Sequence, residues 1–388
     1  MRKTVFSLIN YIGCIGIALF VTFIIDGTIG MVLTYALITA LVVSLLMTLA
    51  VIRSVSIQPA LSVYAVSKGD MLSFEIGFIN SSFLPVPSIT VEIDTSAHFT
   101  VKNDTVGTVS LTGKGKNTLS FPMTAKHSGK AYARIKSVKL NDFLGIFSFY
   151  LKNPEINTEL TAAIYPIIPD ASVQTNFVIT ATKFADNDDE EESDESSAIP
   201  TGLAGYDHRE YVPGDPIKRI SWKLSSKQDK LMVRLDEKIK GSGRIFLLDC
   251  PVTEENDIAL TVRDNVIEGA LALLNSLLSE GREATVFYCK RGLWMSVDIH
   301  TVSDIYTLQE EMSDFEPSEN ASPVPPELNS ALKTPICFTS AMNGNSFSAE
   351  EIASRYPDSM IISSYASSLT VVSDNQWMIT DSFELNRM

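Results

Sequence analysis

The stretch RIFLLDCPVTEENDIALTVRDNVIEGALALLNSLLSEGREATVFYCK, residues 244 to 290, decides the fold of the carboxyl-terminal half of this chain. It opens with the short apolar run 244–249, which predicts a buried strand. Residues 257–281 then show helical periodicity up to Gly281, and 283–290 have the composition of a second strand. The predicted apolar helix face consists of Val262, Ile267, Ala270, Leu271, Leu274, Leu277 and Leu278. Strand, helix and strand in this order predict a parallel sheet.

The same alternation continues towards the end of the chain. LWMSVDI (293–299) is expected to pair with the preceding strand as a hairpin. A helix over 303–315, a strand over 335–340, a short helix over 348–356 and a strand over 359–365 follow. These patterns predict an α/β domain with helices on both faces of its sheet.

Residues 55–165 change to a period of two, with apolar and polar residues alternating between turns rich in Gly, Pro and Asn. This pattern predicts an antiparallel β-sandwich, a domain type that usually binds partners. His98 and His127 lie in or beside predicted turns, where we expect solvated side chains. The predicted strands are LSVYAV, MLSFEIGFI, SITVEI, NTLSFPMTA, KAYARIKSVKL and GIFSFYL.

Two long apolar stretches open the chain, at residues 5–25 and 29–52. Each has the length needed to cross a bilayer as a helix, and no cleavage site separates them as a signal peptide would require. Arg2, Lys3 and Arg53 flank the outer ends, whereas the connector DGT carries no basic residue. The positive-inside rule therefore predicts a multi-pass cell-membrane protein with both ends, and the bulk of the chain, in the cytoplasm.

Charge and composition exclude several kinds of function. The net charge of −15 over 388 residues argues against nucleic acid as a partner. FADNDDEEESDESSA (184–198) predicts a solvated flexible loop, and its residues do not match an EF-hand. Cys250, Cys289 and Cys337 lie in apolar runs and predict buried reduced thiols rather than a zinc site. No phosphate-binding motif is present, so we expect no bound nucleotide and no cofactor.

A dense segment, REYVPGDPIKRISWKLSSKQDKLMVRLDE (209–237), is called the signature segment below. It resembles the signature of the bacterial family called domain of unknown function 58. NDFLGIF (141–147) is similar to the segment that ends the sandwich in that family. The residues that carry the resemblance, or adjoin it as a candidate binding surface, are Arg209, Glu210, Tyr211, Gly214, Asp215, Lys218, Arg219, Ile220, Trp222, Lys223 and Lys227.

The resemblance implies an architecture and partners. It implies a transmembrane hairpin at 1–54, a β-sandwich at 55–170, and the signature segment with a Rossmann-like von Willebrand factor type A-like α/β domain at 201–388; the acidic composition adds a flexible linker at 171–200. It also implies association with a MoxR-type AAA+ ATPase and a transglutaminase-like membrane protein. The family's own biochemical activity is not implied.

This chain departs from the family at two places. Lysine stands at 218 and 227, where the family favours arginine, so the rigid fork that binds anions bidentately is lost. Type A domains often hold a divalent cation through Asp-x-Ser-x-Ser, and the matching residues here are Asp249, Pro251 and Thr253. Proline has no side-chain oxygen, so a degenerate, metal-free site is expected.

The signature segment itself has a structural interpretation. Asp215 before Pro216 suits a helix N-cap, and Trp222 suits packing against the sheet. Leu231, Val233 and Leu235 alternate as a strand should. The basic residues are explained either by a solvated face or by a docking patch for an acidic partner or for the acidic loop upstream. They are Lys218, Arg219, Lys223, Lys227, Lys230 and Arg234.

No catalytic set is evident, although His208 lies beside Asp207 and near Glu210. We therefore expect a non-enzymatic, membrane-anchored adaptor that acts in cell-envelope or protein-complex assembly. The alternative is an uncharacterised, metal-assisted hydrolase that uses Asp249 in the α/β domain.

Overall fold

The structure is a computed structural model that describes residues 2–24, 27–102, 104–152, 156, 158–169, 208–210, 225–227, 230–234, 244–251, 256–279, 281–290, 292–314, 324–325, 335–342, 347–368, 373–380 and 385–388. The predicted acidic linker lies outside these residues. The chain divides into two compact units. The amino-terminal unit comprises Met1–Ile167, Glu255–Leu260 and Glu310–Glu316; the carboxyl-terminal unit comprises Ile168–Glu254, Thr261–Gln309 and Pro317–Met388.

Two apolar helices begin the amino-terminal unit, α1 (Arg2–Ile24) and α2 (Gly27–Val51). Phe6–Ile24 and Gly27–Val51 are long and apolar enough to cross a membrane. The helices pack against each other, and the Tyr11 hydroxyl donates a hydrogen bond of 2.7 Å to the Leu37 carbonyl. Most of their apolar side chains are exposed, as lipid-facing side chains would be.

A β-sandwich follows α2. One sheet has the order β1-β3-β7-β5, and the other has β2-β10-β8-β4-β6 with β9 paired to β8. Buried side chains of both sheets form one continuous core that includes Phe74, Phe78, Ile89 and Leu140. The strands are β1 (Val55–Leu61), β2 (Ala65–Ser67), β3 (Met71–Asn80), β4 (Val86–Thr95), β5 (Phe99–Val101), β6 (Val106–Leu111), β7 (Lys116–Ala125), β8 (Gly129–Asn141), β9 (Ser148–Tyr150) and β10 (Glu159–Tyr165).

The sandwich is antiparallel with one exception. The chain passes from β1 in one sheet to β2 in the other, and β2 runs parallel to β10. The expectation of purely antiparallel pairing is wrong at this edge, because the crossing brings β2 beside β10 in the same direction.

Strand register places three turns at the end of the sandwich where α2 joins it, which we call the helix end. Val55, the first residue of β1, pairs with Asn80, the last residue of β3. Asn141, at the end of β8, pairs with Ser88 near the start of β4. The turns 81–85, 112–115 and 142–147 therefore all lie at the helix end.

The opposite end of the sandwich is packed more tightly than expected. His98 and His127 are only 1% and 3% exposed, so the prediction of solvated side chains is wrong. The physical reason is that two connections fold together, because the amides of Lys126 and His127 both donate to the His98 carbonyl. The two predicted turns that carry these histidines are therefore buried in the fold.

The carboxyl-terminal unit contains a small two-stranded ribbon and a seven-stranded mixed sheet with the order β15-β14-β13-β16-β17-β18-β19. Five strands are parallel, and the edge strands β15 and β19 are antiparallel to their neighbours. The predicted hairpin of β14 and β15 is confirmed. The strands are β11 (His208–Glu210), β12 (Met232–Arg234), β13 (Arg244–Asp249), β14 (Ala284–Lys290), β15 (Leu293–Ile299), β16 (Ile336–Thr339), β17 (Met360–Ser364), β18 (Gln376–Ile379) and β19 (Leu385–Arg387).

Three helices belong to this part of the chain: α3 (Asp257–Ser279), α4 (Val302–Ser313) and α5 (Phe347–Arg355). Helix α3 ends just before Gly281, as predicted. It is buried on nearly all sides rather than on one face, and even Asp264 and Glu268 are 1% and 5% exposed. The amphipathic prediction was incomplete because polar side chains of α3 are themselves hydrogen-bonded inside the fold, as Asn265 is to Ser364.

Candidate functional site

The structure describes only part of the signature segment. Arg209 and Glu210 lie in β11, where they pair with Val233 and Met232 of β12. Lys227 is exposed in the short helical turn 225–227. Outside the described residues lie Tyr211, Gly214, Asp215, Lys218, Arg219, Ile220, Trp222 and Lys223.

Of the residues predicted to form the strand after the basic cluster, the structure shows Met232–Arg234 as β12. Met232 is buried, whereas Leu231 is 45% exposed. The Met232 amide donates to the hydroxyl of the buried Ser225 at 2.8 Å, which holds the strand against the helical turn.

Strand order locates a candidate site in the seven-stranded sheet. Numbered along the chain, the parallel strands β13, β14, β16, β17 and β18 lie in the order 2-1-3-4-5. In such sheets, ligands bind at the carboxyl ends of the strands, where the connections leave in opposite directions. That point lies between β13 and β16, and their last residues, Asp249 and Thr339, are direct partners in the register.

A buried hydrogen-bond network occupies this point. The Thr339 hydroxyl donates to a carboxylate oxygen of Asp249 at 2.9 Å, and the Ala341 amide donates to the same hydroxyl at 3.1 Å. The Ser340 amide donates to the Asp249 main-chain carbonyl at 2.9 Å. Asp249 is 1% exposed and Thr339 is fully buried. The carboxylate therefore joins β13 to β16 and to the loop after β16.

Hydroxyl groups continue along the same edge. Ser363 and Ser364 end β17, and the Asn265 amide donates to the Ser364 hydroxyl at 3.1 Å. The Ser367 hydroxyl donates to the Ala341 carbonyl at 2.6 Å. These side chains tie the loops at this edge to one another and to α3.

These residues do not fit a divalent cation. Asp249 is nearly inaccessible and its carboxylate already accepts the Thr339 hydrogen bond. Pro251 supplies no side-chain oxygen, and Thr253 lies outside the described residues. Within the part of the chain that the structure describes, no three His, Cys, Asp or Glu side chains form a group that could hold a metal.

The cysteines near this edge are poor nucleophiles. Burial, and then the nearby Asp249 carboxylate, raise the pKa of the Cys250 thiol to about 12. Burial and the same carboxylate also raise the pKa of the Cys337 thiol. Cys250, Cys289 and Cys337 are buried, which confirms the prediction made from their apolar surroundings. A thiolate nucleophile needs the opposite environment.

A second site, at the helix end of the sandwich, is formed by NDFLGIF (141–147). One carboxylate oxygen of Asp142 accepts the amide hydrogens of Ile146 at 2.6 Å and Phe147 at 2.9 Å. Gly145 has a φ of +67°, which favours glycine, and its amide donates to the Asp142 carbonyl. Asp142, 3% exposed, therefore organises the whole β8–β9 turn.

The other carboxylate oxygen of Asp142 reaches α2. It accepts a hydrogen bond of 2.9 Å from the hydroxyl of the buried Ser44. Thr48 and Val51 lie on the same face of α2 and are also buried, and Val51 belongs to the sandwich core. Only residues 52–54 separate α2 from β1. We call this contact between Ser44, Asp142 and the last two turns of α2 the helix joint.

Sequence reasoning missed the helix joint because its two polar partners are 98 residues apart. The local signal was available, since Asp and Gly three residues apart are typical of a turn. Nothing local in the sequence indicates that Ser44, inside an apolar helix, would meet that turn.

Comparisons with known proteins identify no family. No family model matches the chain, and no curated protein matches it. Among solved structures, a fragment of alpha-2-macroglobulin from Escherichia coli is 15% identical, with a TM-score of 0.25, and the match covers 30% of this chain and 17% of that one.

Two smaller structures match a similar share of the chain. The CARDB domain of a Pyrococcus furiosus protein is 19% identical over 29% of this chain and 90% of its own, with a TM-score of 0.21. A cohesin module from a Clostridium perfringens glycoside hydrolase is 14% identical over 29% and 95%, with a TM-score of 0.22. At these TM-scores the likenesses carry no argument about function.

Proposed function

We propose that this protein is a non-enzymatic adaptor anchored in the cell membrane, with its two helices crossing the bilayer and its larger part in the cytoplasm. The observation that carries the proposal is the helix joint. An apolar helix long enough to cross a membrane continues, through three residues and a buried hydrogen bond, into the core of a folded domain. Such a connection suits a protein whose work is to hold binding surfaces at a membrane.

The length of α2 agrees with this role. The part of α2 before Ser44 is about 25 Å long at a rise of about 1.5 Å per residue. The hydrocarbon core of a bilayer is about 30 Å thick. That part is about 5 Å shorter than the core, so the bilayer edge would fall near the first turn of the helix joint and leave about one turn of α2 beyond it. Arg53, which follows α2 and is exposed, suits a cytoplasmic position beside anionic lipids.

The carboxyl edge of the seven-stranded sheet supports binding rather than catalysis. Its one central carboxylate is buried and hydrogen-bonded within the sheet, and the thiols beside it have raised pKa values. A general acid or base must reach substrate, and Asp249 is only 1% exposed. The hydrolase alternative, which needs Asp249 at a reacting centre, is thus less well supported than the adaptor.

The partners in this proposal rest on the resemblance of the signature segment and of 141–147 to the domain of unknown function 58 family. We propose a MoxR-type AAA+ ATPase as the principal partner and a transglutaminase-like membrane protein as a second. The parallel sheet would then belong to a von Willebrand factor type A-like domain, and assembly in the cell envelope would be the process served. The exposed Lys227, with Lys223, would belong to the docking surface.

The proposal is tested by affinity capture of the tagged full-length protein from its own membranes in mild detergent. The parent is compared with a Lys223→Glu/Lys227→Glu variant. The matched control is Lys102→Glu/Lys152→Glu, which makes the same charge change at exposed positions of the amino-terminal unit. Co-purifying proteins are identified by mass spectrometry.

We expect an AAA+ ATPase with the parent and with the control variant, and its loss from the Lys223/Lys227 variant. Capture that is equal in all three samples would refute the docking surface. If the parent retains no partner, the adaptor function fails. Activity on a hydrolase substrate panel that is lost in Asp249→Ala would then establish the alternative.

A further inference from the structure

Two of the three turns at the helix end of the sandwich carry exposed apolar side chains. Phe143 and Leu144, at the tip of the β8–β9 turn, are each 40% exposed. Phe83, in the β3–β4 turn, is 80% exposed. Turn tips usually carry Gly, Pro, Asn, Asp or Ser because water surrounds them. Large apolar residues at two of these tips suggest that they do not face only water.

Both apolar tips are tied to the end of α2. The β8–β9 turn is held there by the hydrogen bond from Ser44 to Asp142. The β3–β4 turn is held by the Ser81 amide, which donates 2.9 Å to the carbonyl of Ser54, three residues after α2 ends. Exposed Leu46 and Leu49 lie on the last two turns of the helix itself. The apolar tips thus continue the apolar surface of the membrane helix.

A lysine completes this surface. The Lys114 ammonium lies 3.9 Å from the centre of the Phe83 ring. Lys114 has a φ of +53°, which is unfavourable for a residue with a side chain, and such strain often marks a functional position. Gly113 permits the close approach, since a Cβ there would lie 2.1 Å from the Phe83 carbonyl oxygen. At a membrane–water interface a lysine can lay its stem along apolar groups while its ammonium stays with the headgroups.

We propose that Phe83, Phe143 and Leu144 lie in the boundary between the headgroups and acyl chains of the bilayer, with Lys114 directed to lipid phosphates. These four residues are called the lipid-contact rim. The inference deepens the proposed function and rests on α2 crossing the membrane. It adds a second, interfacial contact by which the sandwich itself touches lipid.

The rim is tested with nitroxide spin labels on the full-length protein in nanodiscs of phosphatidylcholine and phosphatidylglycerol. Cys14→Ser provides the background, because the other three cysteines are buried. Single labels are placed at Phe83→Cys and Phe143→Cys. Val42→Cys, at a 49% exposed position in α2, reports lipid; Tyr64→Cys, 58% exposed at the opposite end of the sandwich, reports water.

The quantity measured is the ratio of collisions with oxygen, which concentrates in lipid, to collisions with a water-soluble nickel chelate. We expect ratios at Phe83 and Phe143 several-fold above that at Tyr64 and approaching that at Val42. If the two rim labels match Tyr64 while Val42 is high, the rim is overturned and the membrane anchor stands. If Val42 also matches Tyr64, the anchor fails together with the rim.

A second measurement avoids loss of the native ring. Phe143→Trp keeps an aromatic side chain at the tip, and brominated lipids quench tryptophan that lies near the acyl chains. We expect the additional fluorescence of this variant, relative to the parent, to be quenched by brominated lipid. Additional fluorescence that is unaffected by brominated lipid would overturn the proposal.

Discussion

Asp142 illustrates how much one buried carboxylate can organise. One of its oxygens replaces the main-chain acceptor that the tight β8–β9 turn lacks, and the other accepts the hydroxyl of Ser44 in α2. Buried polar groups stabilise a fold only when their hydrogen bonds are made. The Asp142 side chain accepts hydrogen bonds both from the β8–β9 turn and from α2 in the helix joint.

Replacement of Asp142 by alanine should therefore be costly. We expect Asp142→Ala to lower the free energy of unfolding by about 2 kcal/mol or more, because the Ile146 and Phe147 amides lose their acceptor. Thermal unfolding of the full-length protein in detergent measures the change. The control Asp94→Ala removes an exposed ion pair with Arg134, which should cost much less because water screens the pair. Equal losses for the two variants would contradict the role assigned to Asp142.

The thiols of the carboxyl-terminal unit give a prediction about pH. With a pKa of about 12, roughly one in ten thousand Cys250 thiols is ionised at pH 8. In the Cys14→Ser background we expect almost no reaction with a maleimide at pH 8, and three reactive thiols after denaturation. Rapid reaction of the native protein would show that the thiols are accessible thiolates.

The raised pKa of Cys250 also predicts how the stability of the protein changes with pH. The folded state raises the Cys250 pKa, so it retains a proton that the unfolded state releases near pH 9. The thiol's contribution to stability is complete below about pH 9 and is lost as the pH rises towards 12. Denaturant titrations across this interval should show the midpoint falling.

Among the elements, α4 shows how a helix start is encoded in a few residues. Asp304 accepts hydrogen bonds from the amides of His300 and Thr301 and from the Thr301 hydroxyl. The carboxylate makes one half of a capping box, in the usual place of Glu, whereas the Asp304 amide donates to the Thr301 main-chain carbonyl rather than to its hydroxyl. The amide of His300 and then that of Thr301 lower the pKa of Asp304.

Asp304→Ala should loosen the first turn of α4. We expect faster hydrogen exchange at the amides of His300, Thr301 and the first turn of α4, with little change in the last turn of α4. A lowered pKa means that the stabilisation is present at neutral pH and is lost as the pH falls through the folded pKa, below 3.8. The difference between parent and variant should thus vanish in strong acid, and a difference that persists there would argue against the carboxylate.

Strands with a strong apolar pattern can be predicted from the sequence, whereas strands with a weak pattern cannot. β3, β7 and β8 alternate clearly and β13, β14 and β17 are apolar runs, and the prediction of these six strands is confirmed. β10 was missed because its inward residues, Ala162 and Ile164, give only a weak alternation. β5 has three residues, too few for any periodicity. Partner contacts, rather than local composition, make these segments strands.

In the candidate sites too, single residues can be identified from the local sequence, but their distant partners cannot. Asp249 at the end of a buried strand was identified from sequence, whereas its partner Thr339 lies 90 residues away and was not. The helix joint was missed for the same reason. Local chemistry indicated which residues were unusual, but only the strand register shows which of them meet.

For the whole molecule, the distribution of basic residues predicts orientation. A cysteine at Tyr64, introduced into the Cys14→Ser background, should react with a membrane-impermeant maleimide in inverted membrane vesicles and not in intact cells. This follows because Arg2, Lys3 and Arg53 flank the helix pair on one side. Labelling of intact cells would place the sandwich outside and would exclude a cytoplasmic ATPase as its partner.

The short link between α2 and β1 also bears on how quickly a partner could be found. With three residues and a buried hydrogen bond between helix and sandwich, the sandwich cannot tumble independently of its anchor. Two proteins that associate from solution must each give up rotational freedom, at a cost of several kcal/mol. If α2 crosses the bilayer as proposed, a domain held at one angle to it has surrendered most of that freedom in advance. For a partner that diffuses along the same membrane, encounter becomes a search in two dimensions between surfaces that already face each other.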